Sequence, residues 1–153
     1  MIERLAYDEH PSSIAVDSIG IGAGVVDNLV QSQIEGLRPI NVSSAALNTE
    51  LFANLRAELY WNLRERFRTG DIVLKDDPLL AEELAAIRYR FNPGGRIQIE
   101  SKDEMKRRLG RSPDRADMLA LLFDSSGEWL PATRTENRSE SPASLLRAEM
   151  KVW

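Results

Sequence analysis

Ile14-Ala-Val-Asp-Ser-Ile-Gly-Ile-Gly-Ala-Gly-Val-Val-Asp27 decides how this chain is read. Ile14 to Ile19 is a short, apolar, β-branched run that predicts a strand covered on both faces. Gly20, Gly22 and Gly24 predict a tight turn, and Val25 to about Gln33 a helix. Leu37 to Val42 predicts a second strand, parallel to the first, which completes the crossover unit of an α/β protein. Asp17 falls inside the first strand near its carboxyl end, where open α/β sheets place their sites. A carboxylate among apolar neighbours is costly to bury unless something pairs with it, and a metal ion is a common partner. The blander reading is an aspartate that caps the glycine turn.

Outward from that unit, Ile2 to Glu9 predicts a short helix ending before Pro11. The longest helix is expected from about Thr49 to Thr69, because Leu51, Leu55, Leu59, Leu63 and Phe67 recur every four residues and Gly70 closes the run. Arg56, Arg64, Arg66 and Arg68 lie mainly off that stripe and read as a solvated face ahead of a DNA contact. Asp71 to Leu74 predicts a short strand, and Asp77-Pro78 opens a helix to roughly Ile87. Arg88 to Phe91 and Arg96 to Ile99 flank Asn92-Pro-Gly-Gly95 as a hairpin, with Tyr60, Trp61, Tyr89 and Phe91 expected to pack and not to stack on bases. Ser101-Lys-Asp-Glu104 has capping-box spacing for a short basic helix, and Ser112-Pro113 opens the next, through about Phe123. Residues 1–123 form the expected domain; residues 124–153 read as a polar linker and a short C-terminal helix around Ser144 to Val152.

With 153 residues, 42% hydrophobic and 29% charged, the chain has enough material for one globular core. The absence of cysteine excludes disulfides and thiolate zinc sites, and His10, the one histidine, rules out multi-histidine metal centres. Any metal must therefore be held by oxygen ligands, which favours magnesium or manganese. The net charge of -4 gives no general attraction to nucleic acid, so such binding needs local basic patches. No apolar run approaches the length of a membrane span, and no membrane partner is expected.

A second acidic cluster, Ser112-Pro-Asp-Arg-Ala-Asp-Met-Leu-Ala-Leu-Leu122, places Asp114 in the first turn of a helix and Asp117 three residues later on the same face. Alone, these acids complement the helix dipole. Together with Asp17 they suggest carboxylates converging on divalent ions, which activate water and stabilise the leaving oxygen of a phosphodiester. Lys102, Lys106, Arg107, Arg108, Arg111 and Arg115 crowd around that cluster and suit a track for a phosphate backbone. A nucleotide-binding glycine turn is the lesser alternative, since Gly-x-Gly-x-Gly departs from the dinucleotide spacing and no ATPase-type phosphate loop exists.

Four motifs occur in order: Val16-Asp-Ser-Ile-Gly-Ile-Gly-Ala-Gly-Val-Val-Asp27, Asn54-Leu-Arg-Ala-Glu-Leu-Tyr-Trp61, Ile99-Glu-Ser-Lys-Asp103 and Arg111-Ser-Pro-Asp-Arg-Ala-Asp117. In this order they resemble the C-terminal nuclease domain of the large terminase subunit of tailed bacteriophages, over about Ile14 to Phe123. The resemblance implies a ribonuclease H-like mixed sheet flanked by helices. It implies a magnesium- or manganese-dependent endonuclease that cuts concatemeric double-stranded DNA during packaging, beside a separate ATPase domain. Carried over, Asp17 and Asp114 become metal ligands and Asp117 a neighbouring catalytic acid.

That family's fold opens with a three-strand meander whose first strand carries a further essential aspartate, and the resemblance here begins after it. The expectation is a truncated domain that binds metal weakly or not at all. Glu100, Asp103 or Asp27 would substitute for the further acid only if the fold brings them close. An exposed sheet edge would favour homo-oligomers. Other terminase or portal components join DNA as expected partners, in the cytoplasm of a bacterial host. The alternative is a catalytically inactive prophage remnant that binds DNA or oligomerises.

Overall fold

The computed structural model describes residues 2–124. Its elements are α1 (Ile2–Glu9), β1 (Ile14–Asp17), α2 (Ile21–Gln31), β2 (Leu37–Ile40), α3 (Leu55–Thr69), α4 (Pro78–Ala86), β3 (Tyr89–Phe91), β4 (Ile97–Ile99), α5 (Lys102–Leu109) and α6 (Asp114–Leu122). The arrangement is mixed α/β, as expected, but its strands form two separate two-stranded sheets in place of one mixed sheet. The linker and terminal helix expected in residues 124–153 lie, beyond Asp124, outside the described residues.

β1 and β2 pair in parallel, from Ile14 opposite Leu37 to Asp17 opposite Ile40. Ile14 N–H donates to the Gly36 carbonyl and Ser18 N–H to that of Ile40, so the even-numbered residues of β2 face β1. Pro39 therefore faces outward, where its missing N–H leaves no gap in the ladder. β1 is half-buried along its length, with one edge left open because only one strand flanks it among the described residues.

The glycine turn is tighter than the sequence suggests. Gly20 alone makes the corner, with φ +61°, and α2 starts at Ile21, four residues ahead of the expected Val25. Gly22 lies against β1, where an added Cβ would fall 1.7 Å from the Asp17 carbonyl oxygen.

α3 starts at Leu55, not near Thr49, since the Asn54 side chain accepts the Ala57 N–H and caps the helix there. Leu51 and Phe52 keep the period of the stripe but belong to a loop that Glu58 and Asn48 hold in place. The Glu58 carboxylate accepts the N–H groups of Leu47 and Asn48, and Asn48 Oδ1 accepts that of Leu51. Phe52 forms an isolated bridge to Ile97, which seats the loop against the hairpin. Residues 71–74 form no strand: Val73 is 95% exposed and has nothing to pack on.

Asp77 caps α4 as its Asp-Pro opening implies, and Ser101 and Glu104 complete the capping box of α5. Glu83, 2% exposed, pairs with Arg111 and accepts the Ala116 N–H, so α4 caps the start of α6 from outside. The core gathers on α3, where Leu59, Trp61 and Leu63 meet Ile97 of the hairpin and Leu119 of α6.

Candidate functional site

Asp17 ends β1 with its two oxygens doing different work. Oδ1 accepts the Ile19 N–H at 3.1 Å, the turn-capping role that the residue type allows. Oδ2 accepts from Lys102 Nζ at 3.1 Å. The same ammonium lies 3.2 Å from Asp117 Oδ2, so two carboxylates a hundred residues apart in sequence meet on one cation. Lys102 takes this place because the Ser101 cap makes it the first residue of α5, and α6 packs on β1 to bring Asp117 alongside.

Asp117 is 15% exposed and Asp17 25%, burial that strengthens their attraction for a cation. Tyr60 donates its hydroxyl to Asp117 Oδ1 at 2.6 Å, and Arg56 Nη2 reaches the same oxygen at 3.1 Å. Burial first, and then the charge of Asp117, push the Tyr60 phenol far above its usual range, so it stays a protonated donor. Partial burial pulls Lys102 down, yet the Asp117 charge and the bond to Asp17 outweigh that and leave it raised. These five groups line a small depression with Val42, Leu59, Ala120 and Leu121.

The remaining candidates are placed differently. Asp114 is exposed one turn earlier on α6 and lies outside this cluster. Asp27 and Asp103 are exposed, and Glu100 pairs with Arg108, so none of the three joins Asp17 and Asp117. Among the described residues no three carboxylates or histidines converge in a way that holds a metal.

The basic track divides too. Arg108 pairs with Glu100, Arg111 with Glu82 and Glu83, Arg115 with Asp77, and Lys102 with the two acids. Lys106 and Arg107 are exposed on α5 and form no ion pair among the described residues. Arg56 corrects the reading of a uniformly solvated α3 face: its side chain is 11% exposed and turned into the site. Tyr60 and Arg56 are the site residues that sequence patterns hid, although their four-residue spacing on one helix face was visible. Trp61, Tyr89 and Phe91 pack edge to face along the hairpin, at 5.3 and 6.1 Å between ring centroids.

No protein-family model matches the sequence, and no curated protein matches it. Solved structures do resemble the fold. A lysine-to-alanine mutant of the nuclease domain of the large terminase subunit gp2 of bacterial virus Sf6, with manganese and beta-thujaplicinol, aligns with a TM-score of 0.64 at 23% identity. The alignment covers 76% of this chain and 66% of that one. The same mutant with calcium gives 0.58 at 23% identity, and the nuclease domain without the mutation gives 0.58 at 24%. This chain thus spans about two thirds of those domains and has the fold of a phage terminase nuclease domain.

Proposed function

We propose that this chain is a nuclease module of the terminase kind that hydrolyses double-stranded DNA with magnesium or manganese, held by Asp17 and Asp117. The observation that carries this reading is the convergence of those two carboxylates on a single ammonium at 3.1 and 3.2 Å. A position that already attracts one positive charge from two hard oxygen donors suits a divalent cation of the same preference. Two acids are fewer than a tightly bound ion requires, so the site is a weak one.

When bound, a divalent ion supplies a water of lowered pKa and neutralises charge on the attacked phosphate. The chain's own groups do the rest. Tyr60 and Arg56 hold Asp117 oriented. Lys102 neutralises the acid pair in the free chain and, once released from it, offers its ammonium to a phosphate oxygen. Lys106 and Arg107, further along α5 and not engaged in internal ion pairs, suit contacts to the DNA backbone. On this reading the substrate is viral DNA inside a bacterial cell, with other packaging proteins as partners.

The test is incubation of the chain with manganese and supercoiled plasmid. Cutting is expected in the parent chain and is lost in Asp17→Asn and in Asp117→Asn. Cutting that persists unchanged in both variants overturns the assignment. A salt-sensitive DNA shift without any cutting identifies an inactive DNA-binding module instead.

A further inference from the structure

Asp117 is gripped through one oxygen. Tyr60 Oη, Arg56 Nη2 and Arg56 Nε approach Oδ1 at 2.6, 3.1 and 3.4 Å. Oδ2 is buried and receives no hydrogen bond, although the Lys102 ammonium lies 3.2 Å away. An arginine facing a carboxylate ordinarily offers one donor to each oxygen. Here both of its nearest donors converge on the oxygen that Tyr60 also occupies.

The rest of Arg56 is anchored too. Nη1 donates to the Glu100 carbonyl at 2.7 Å, and Nη2 lies 3.5 Å from Met105 Sδ. The guanidinium also sits over the Tyr60 ring, 5.1 Å from its centroid. Glu100 immediately precedes the Ser101 cap that launches Lys102. One buried side chain on α3 therefore fixes both the acid on α6 and the backbone leading to the cation on α5.

We propose that Arg56 and Tyr60 are positioning residues: they saturate Oδ1, lock the Asp117 side chain in one rotamer and leave Oδ2, beside the ammonium that it shares with Asp17, as the oxygen presented to a cation. A single oxygen offered in a fixed direction makes Asp117 a one-point ligand, which defines where a cation sits between the two strand and helix acids. That consequence for cation binding rests on the nuclease reading above; the locking of Asp117 does not.

The experiment measures the three-bond Hα–Hβ and N–Cγ scalar couplings of Asp117, which report its χ1 angle, in the isotopically labelled full chain without metal, followed by manganese titration. The parent chain is expected to show one Asp117 rotamer. Tyr60→Phe, which removes a single oxygen and keeps the ring, and Arg56→Lys are each expected to give averaged couplings. Tyr89→Phe on the hairpin leaves them unchanged. Manganese affinity is expected to fall about tenfold in Tyr60→Phe, the scale seen when a group supporting a metal ligand is lost. Asp117 remaining in one rotamer in both variants overturns the proposal. If the parent chain binds no manganese, the nuclease reading falls, and the couplings still decide whether Arg56 and Tyr60 hold the acid.

Discussion

The N-terminal unit, residues 2–40, and the body built on α3 hold together by different means. In the first, Leu29 and Ile40 are the only buried residues among those described, and β1 is half-exposed on its single partner strand. In the second, Ala57, Leu59, Leu63, Ile97 and Met105 are each at most 2% exposed and pack against three helices and a hairpin. The candidate site joins the two. Asp17 comes from the thin unit, and Asp117 from the body, where Arg56 and Tyr60 grip it. Among the described residues two ion pairs cross the boundary: Lys102 with Asp17, and Arg38 with the nearly fully buried Asp124 at 2.7 Å. A site assembled this way can have one rigid ligand and one whose position depends on weak packing, which suits an acid that must accommodate a cation.

The largest effect should come from the body. Leu63→Ala removes a side chain 2% exposed at the centre of the core and should cost about 3 kcal/mol in urea unfolding. Val16→Ala, in half-buried β1, should cost only about 1 kcal/mol. Equal costs would erase the contrast between the two regions.

Next is the contact of α2 with β1. Gly22→Ala places a methyl group against the Asp17 carbonyl and should cost about 1–3 kcal/mol while displacing Asp17. Gly24→Ala, two residues on, meets open space and should stabilise the helix by about 0.5 kcal/mol. The two glycines look alike in sequence, and thermal melts that reverse their order would show that α2 does not press on the strand.

Much of this was legible in the sequence. The β1-α2-β2 crossover, the Asp77-Pro78 cap, the Ser101 capping box and the Asn92-Pro-Gly-Gly95 hairpin are set by local chemistry, and they stand where that chemistry put them. Leu51 misled because burial in a loop seated against Ile97 gives that loop the same periodicity as a helix face. Asp71 to Leu74 misled in the other direction, since β-branched residues make a strand only where a partner edge exists. At the site, Asp17 and Asp117 were both in view. Their meeting through Lys102, and the turn of Arg56 inward, depend on packing between α3, α5 and α6 that no local window contains.

Removing the bridging charge sharpens the comparison further. Lys102→Ala leaves Asp17 and Asp117 with no ammonium between them, so manganese meets no competitor there. Manganese should then raise the melting temperature more in the variant than in the parent, by about 2–4 °C, equivalent to roughly 1 kcal/mol for a chain of this size. Equal shifts in the two proteins would place the bound cation away from the acid pair.

The smallest effect is in the dependence on pH, where the bridge to the N-terminal unit and the helix caps of the body act at opposite ends of the range. Lys102 binds its proton more tightly folded than unfolded, because the Asp117 charge and the Asp17 bond outweigh its partial burial. Its contribution is complete below the ordinary value of 10.5 and disappears as pH rises through the higher folded value. Asp77 and Glu104 behave oppositely. The backbone N–H of Leu80 holds Asp77, and that of Ser101 holds Glu104, below their ordinary 3.8 and 4.5. Those helix caps contribute above these values and are lost as pH falls through the lower folded ones. Urea midpoints from about pH 2 to 12 should therefore show an acid limb from caps within the body and an alkaline limb shared by the buried Tyr60 phenol and the Lys102 bridge, the share of the bridge being shallow because Lys102 is 46% exposed. In a Tyr60→Phe background, Lys102→Met should flatten what remains of the alkaline limb and leave the acid limb in place. An alkaline limb unchanged in that variant would mean that the bridge between the two regions contributes nothing to holding them together.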